Sequence, residues 1–256
     1  LKSKINFEIK NKLEYHYKEF DKTKISPDPI EFPHKYSNKR DIEISALISS
    51  LFAFGSIKQI MNVLQKIHLK IGSSPFDFVI NYSLSKNYFE DIQHRFYKSI
   101  DIENLFSVLN LIYSEHNSLE FFFTNKNSIK ESISAFSNQM FNIFTQNYKI
   151  SVGIKFMFPD PEKGSACKRM NLFLRWMVRK DGIDFGLWKN ISTSQLIIPV
   201  DTHIAKIARQ LKLTNKKNVS WKMAEEITNN LKKYDSIDPV KFDFALCHIG
   251  MRKLKF

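Results

Sequence analysis

Apolar residues recur at helical spacing in one segment after another, and no segment keeps the two-residue alternation of a half-buried strand. Met170, Phe173, Leu174, Met177 and Val178 form one such stripe, with Lys168, Asn171, Arg175 and Arg179 on the opposite face. This helix is expected to stop near Asp181-Gly182. Ile204, Ile207, Ala208 and Leu211 form a second stripe directly after Pro199-Val200-Asp201, so Asp201 stands where an N-cap belongs and Lys206, Arg209 and Lys212 face outward. The same period predicts helices over residues 8–20, from Asp41 to Phe54, over 58–68, after Ser74-Pro75, from Asp101 to Ile112, over 132–144, over 221–231 and after Asp238-Pro239. Ser26 to His34, with three prolines, is expected to be extended, and Asn117 to Lys130 to be a loop or a short helix. The fold class is therefore all-α.

Size and charge narrow the function classes. A chain of 256 residues with 43% hydrophobic content can bury a sizeable core without staples. No apolar run reaches the ~18 residues a bilayer crossing needs, and the first residues lack a signal-peptide core, so the expectation is a cytoplasmic protein with no membrane partner. Two cysteines, Cys167 and Cys247, suit a reducing compartment and cannot hold a four-cysteine cluster. There is no Gly-x-Gly-x-x-Gly or Walker loop, and the histidines form no i, i+4 metal pair, so neither a cofactor nor a metal is expected. The formal charge of +13 favours a polyanionic partner, with nucleic acid first. His94-Arg95-Phe96-Tyr97-Lys98 is a local basic and aromatic cluster that reads either as a nucleic-acid contact or as a core aromatic between surface charges.

Val200-Asp201-Thr202-His203-Ile204, followed by Arg209, resembles the catalytic aspartate segment of the helix-hairpin-helix (HhH-GPD) DNA glycosylases. Phe158-Pro159-Asp160-Pro161-Glu162-Lys163-Gly164 resembles their hairpin, although the usual Leu-Pro-Gly-x-Gly is absent, and the helix carrying Lys168 resembles the one that follows it. The interval from Lys168 to Asp201 is longer than in endonuclease III and similar to that of the archaeal 8-oxoguanine glycosylases, which also place their lysine early on this helix. Phe242-Asp243-Phe244-Ala245-Leu246 with Gly250 is similar to the closing helix of the same families, whereas Leu47-Ile48-Ser49-Ser50 lacks the DNA-facing glutamine of their Ser-x-Gln helix. The run from Cys167 to Asp184 also resembles an uncharacterised family of bacterial proteins of about 250 residues, which supplies no activity of its own.

The resemblance implies a two-lobed helical unit with a central cleft, residues 41–145 forming the middle lobe and 1–40 with 146–256 the second. It implies a base-excision glycosylase with AP-lyase activity, acting as a monomer on damaged double-stranded DNA, with an oxidised purine such as 8-oxoguanine as the first substrate to test. Lys168 and Asp201 take the catalytic roles. Lys163, Gly164, Arg169, Arg175, Lys206 and Arg209 are the DNA-binding candidates, and Trp176 and Trp188 the candidates for stacking on the base. An amine that attacks C1′ must be neutral, which requires desolvation or a neighbouring cation such as Arg169 or Arg175 to disfavour its ammonium form. A carboxylate beside the sugar stabilises the cationic character that develops as the glycosidic bond breaks. Taken singly, Lys168 reads as a solvated lysine and Asp201 as a plain N-cap. Two alternatives stay open: a non-catalytic helical DNA- or RNA-binding protein that retains the glycosylase fold, and a protein-interaction module.

Overall fold

The computed structural model describes residues 2–124 and 126–251; the side chains of residues 2–6 and Met251 are not included. It is all-α: among the described residues there is no strand, only the isolated bridges His94 with Tyr97 and Lys180 with Phe185. The chain divides into two compact units, one built from residues 27–160 and the other from 1–26 together with 161–256. Among the described residues no helix is long and apolar enough to cross a membrane.

The unit of residues 27–160 holds α2 (Lys39–Leu51), α3 (Ile57–Ile71), α4 (Pro75–Ile80), α5 (Ser99–Glu115), α6 (Ile129–Asn147) and α7 (Val152–Met157). Its entry departs from expectation. Pro29–Glu31 and Pro33–Lys35 are 3-10 turns rather than extended chain, because a φ fixed near −65° suits a tight helical turn as well as it suits extension. Asn38, not Asp41, caps α2, accepting from Arg40 N at 2.9 Å. Asp41 lies one turn further in and reaches across to Phe76 N at 2.7 Å, holding the start of α4. Asp101 likewise lies inside α5 and accepts from Lys98 N at 2.9 Å. The segment 117–130 folds as a 3-10 turn over Leu119–Phe123 before α6, and Asn125 within it lies outside the described residues. Glu43 explains that turn: its buried carboxylate accepts from Tyr113 Oη at 3.0 Å, Ser118 Oγ at 2.6 Å and Leu119 N at 2.7 Å. Phenylalanines fill the centre, with Phe89 stacked on Phe106 at 4.5 Å and Phe136 edge-on to Phe158.

The other unit joins α1 (Lys2–Glu19) to α8 (Lys168–Val178), α9 (Thr202–Gln210), α10 (Trp221–Leu231) and α11 (Asp243–Met251). α8 ends earlier than expected, at Val178, because Arg179 turns inward and the chain makes a tight return from Lys180 to Phe185. α9 and α11 pack closely. A Cβ on Gly250 would stand 3.1 Å from Ile207 Cδ1 and 3.2 Å from His203 Cβ, so the missing side chain permits that approach.

Candidate functional site

Lys168 and Asp201 meet in the unit of residues 1–26 and 161–256. Lys168 is the first residue of α8, preceded by Cys167 in the left-handed region at φ +46°. A non-glycine residue there costs on the order of 1 kcal/mol, and such backbones cluster at working sites. The Cys167 thiol is buried. Asp201 is the N-cap of α9, and its two oxygens divide the work. Oδ1 accepts from His203 N at 2.9 Å and Ile204 N at 3.0 Å. Oδ2 stands 3.4 Å from Lys168 Nζ, both side chains being about one-quarter exposed. Burial pushes the Asp201 carboxyl up, but the Lys168 ammonium and the Ile204 and His203 backbone N–H groups outweigh it, so its pKa lies below the usual aspartate value. Asp201 therefore rests as a carboxylate, and both side chains of the pair keep partial access to solvent.

Beneath it lies a feature the sequence reading missed. Arg175, expected on an outer face, is 3% exposed: its Nε and Nη2 donate to Asp184 Oδ1 at 3.2 and 3.1 Å, and its Nη1 donates to Asp243. Arg179 donates to Asp238 through Nε at 2.8 Å, to Asp181 through Nη2 at 2.9 Å, and to Asp184. Burial pushes Asp243 up to about 6 against the charge and hydrogen bond of Arg175; the Asp201 carboxylate adds to that rise and Lys168 opposes it. Asp243 therefore lies within electrostatic reach of the pair. The signal was present as Arg175 and Arg179 one turn apart, followed by Asp181 and Asp184, but helical phase alone reads four charges as a solvated face.

The remaining candidates separate. Lys163, Gly164 and Lys206 are exposed; Gly164, at φ +86°, follows the 3-10 turn Pro161–Lys163, and its carbonyl accepts from Trp221 N at 3.1 Å. Arg209 is exposed but uses Nε and Nη2 to hold the carbonyls of Lys216 and Lys217, at 2.9 and 2.7 Å, which presents those two lysines on a fixed turn. Two sets of candidates need correction. Arg169 and Arg175 are buried, because α8 is covered on nearly every side and only Lys168 and Leu172 are partly open, so neither lies on a phosphate-facing surface. Trp176 and Trp188 are core residues: Trp176 is fully buried, and Trp188 packs edge-on to Phe173 at 5.2 Å, so neither offers a face to a base.

Fold and site thus define an all-α protein with a lysine–aspartate pair at the starts of two helices. The chain belongs to the family described as protein of unknown function (DUF2400), whose model matches residues 28–252. No curated protein and no solved structure matches it.

Proposed function

We propose that this protein is an HhH-GPD-type DNA glycosylase with associated AP-lyase activity, acting on an oxidised purine such as 8-oxoguanine flipped from duplex DNA. The observation that carries this reading is the 3.4 Å approach of Lys168 Nζ to Asp201 Oδ2 at two helix starts, with the carboxylate already held by two backbone N–H groups. The amine must be neutral to attack, and once bound DNA shields the pair from bulk solvent its proton passes to Asp201 or to a water kept at the site. The neutral amine then forms a bond to C1′ while the electron pair of the C1′–N bond leaves with the base, which takes up a proton. The bonded amine gives up a proton to Asp201 or to water, its lone pair then expels O4′, which takes up a proton, and the product is an imine between Lys168 and the opened sugar. Buried Arg175 and Asp243 hold α8 against α11 below the pair and leave phosphate contact to Lys163, Lys206, Lys216 and Lys217.

Borohydride reduction on duplexes carrying 8-oxoguanine or an abasic site tests the assignment, since only an amine nucleophile leaves a reducible imine. The parent protein is expected to give a covalent adduct and Lys168→Gln none, with DNA binding retained. Adduct at full yield from Lys168→Gln refutes the nucleophile. No adduct and no excision across a lesion panel supports instead a nucleic-acid-binding protein in which the pair is a salt bridge between α8 and α9.

A further inference from the structure

The direction in which Lys168 leaves α8 is set by the bend just before it. Gly164 O accepts from Trp221 N at 3.1 Å, which ties the start of the bend to α10, and Cys167 N donates to Ser165 Oγ at 3.2 Å. Cys167 then takes φ +46° and ψ +39°, and it places no side-chain cap on α8. Such a backbone turns the chain within one residue, and a residue with a Cβ keeps it only where its surroundings hold it there. The next residue is Lys168.

Asn171 grips this bend. Its Nδ2 donates to Ala166 O at 3.0 Å and its backbone N to Cys167 O at 2.9 Å, so one residue takes the carbonyls before and after the left-handed backbone. α8 places Asn171 one turn beyond Lys168 on the same face, and the side chain is 1% exposed. Its Oδ1 accepts no hydrogen bond among the described residues. A buried amide left half satisfied carries a desolvation cost that an apolar side chain of the same branched shape would not, so stability alone is a poor reason for an asparagine here. The bond to Ala166 supplies another reason. Ala166 is itself buried, and without Nδ2 its carbonyl would have to turn to find a partner, carrying the peptide before Cys167 and the root of Lys168 with it. Further along, Arg175 anchors α8 through Asp184 and Asp243, so the body of the helix is fixed independently and the amide governs its first turn.

We propose that Asn171 is the positioning residue of the lysine–aspartate pair: by fixing the left-handed bend at Cys167 it aims Lys168 at Asp201, and through Lys168 at the reacting carbon. Asn171 takes no proton and meets no substrate in this role. Displacing a reacting group by about 1 Å is enough to slow a reaction ~100-fold, whereas binding that depends on exposed lysines elsewhere is left alone. The chemistry rests on the proposed function, while the aiming of Lys168 holds whatever use the lysine has.

Two measurements test this, one of them independent of the reaction. Asn171→Leu replaces both polar groups by methyls on the same branched frame. Imine trapping on abasic duplex under single-turnover conditions is expected to slow about ten- to a hundredfold, with duplex affinity within about twofold of the parent. Adding Cys167→Gly is expected to return part of the lost rate, because glycine adopts the left-handed backbone without support. In protein whose lysines carry isotope-labelled methyl groups, the Lys168 resonance is the one missing from Lys168→Gln. In the parent it is expected to move as acid protonates Asp201, 3.4 Å away, and in Asn171→Leu that movement is expected to fall to about half or less. Trapping at the parent rate in Asn171→Leu, a double variant no faster than Asn171→Leu, or a Lys168 resonance that follows Asp201 equally in both proteins overturns the positioning role and leaves the Lys168 assignment standing. Loss of duplex affinity in parallel with the rate makes Asn171 a general structural residue and overturns it as well. Absence of trapping by the parent refutes the nucleophile instead, and the Lys168 resonance then decides the positioning role alone. If the leucine variant does not fold, Asn171→Ala carries the same measurements.

Discussion

Replacing Asp201 with Asn separates the structural from the chemical use of one side chain. Oδ1 caps α9 through His203 N and Ile204 N, and an asparagine oxygen can accept the same two bonds. What Asn removes is the charge facing Lys168 at 3.4 Å. Both partners are about one-quarter exposed, so that ion pair contributes at most about 1 kcal/mol, and the melting temperature should fall by only about 2–4 °C. Asp201→Ala loses the cap as well and should cost about 1 kcal/mol more. Excision in single-turnover assays on 8-oxoguanine duplex should instead fall roughly 10²–10⁴-fold for both variants, since both lack the carboxylate. The pH dependence has a fixed sign. The Asp201 pKa is lowered in the folded state, so its stabilising share is present above the unfolded value near ~3.9 and is lost as pH falls through the folded value. Parent and Asn variant should therefore differ in melting at neutral pH and converge in acid. Asp201→Asn that melts with the alanine variant, or that excises at the parent rate, would refute the division of labour between the two oxygens.

Three further outcomes follow from the geometry. Arg175→Met leaves Asp184 and Asp243 buried without one of their cations and should cost about 3–5 kcal/mol in denaturant titrations; a variant as stable as the parent with weakened DNA binding would return Arg175 to the phosphate-contact set. Gly250→Ala should cost about 1–3 kcal/mol and also lower excision, because its methyl group meets His203 in the first turn after the aspartate cap and Ile207 in the next; a neutral effect on both would show that α9 and α11 can part freely. Affinity for duplex DNA should fall steeply between ~50 and ~200 mM salt, and the double variant Lys163→Ala, Lys206→Ala should reduce the slope by about two, an unchanged slope counting against phosphate contact at either lysine.

Helix existence was legible because apolar spacing reports the buried stripe directly, as at Met170 to Val178 and Ile204 to Ala208. Cap assignment was legible where one side chain and one helix start coincide, as at Asp201, and failed where a competing residue stood three places earlier, as at Asn38 before Asp41. Proline marked a break after Ser26 without specifying its form, since one φ serves both extended chain and 3-10 turns. The pairing of Lys168 with Asp201 was reachable only through the resemblance of their two segments to a known arrangement. Burial of Arg175 and Arg179 was out of reach of periodicity, because it depends on Asp238 and Asp243, far along the chain.

That dependence on distant carboxylates bears on the order in which the protein takes shape during synthesis. Residues 27–160 are one unbroken stretch, so the whole of that unit emerges from the ribosome before α8 does. α8 and the residue that follows it emerge with Arg175 and Arg179 destined for the interior, and Asp243 and Asp238, which complete their neutralisation, are made only near the end of the chain. α1, made first, must also wait, since Lys241 supplies the partner for Glu14 at 2.9 Å. The unit that holds the lysine–aspartate pair therefore closes last, and a chain truncated before residue 238 keeps Lys168 and Asp201 but lacks two of the carboxylates that neutralise Arg175 and Arg179.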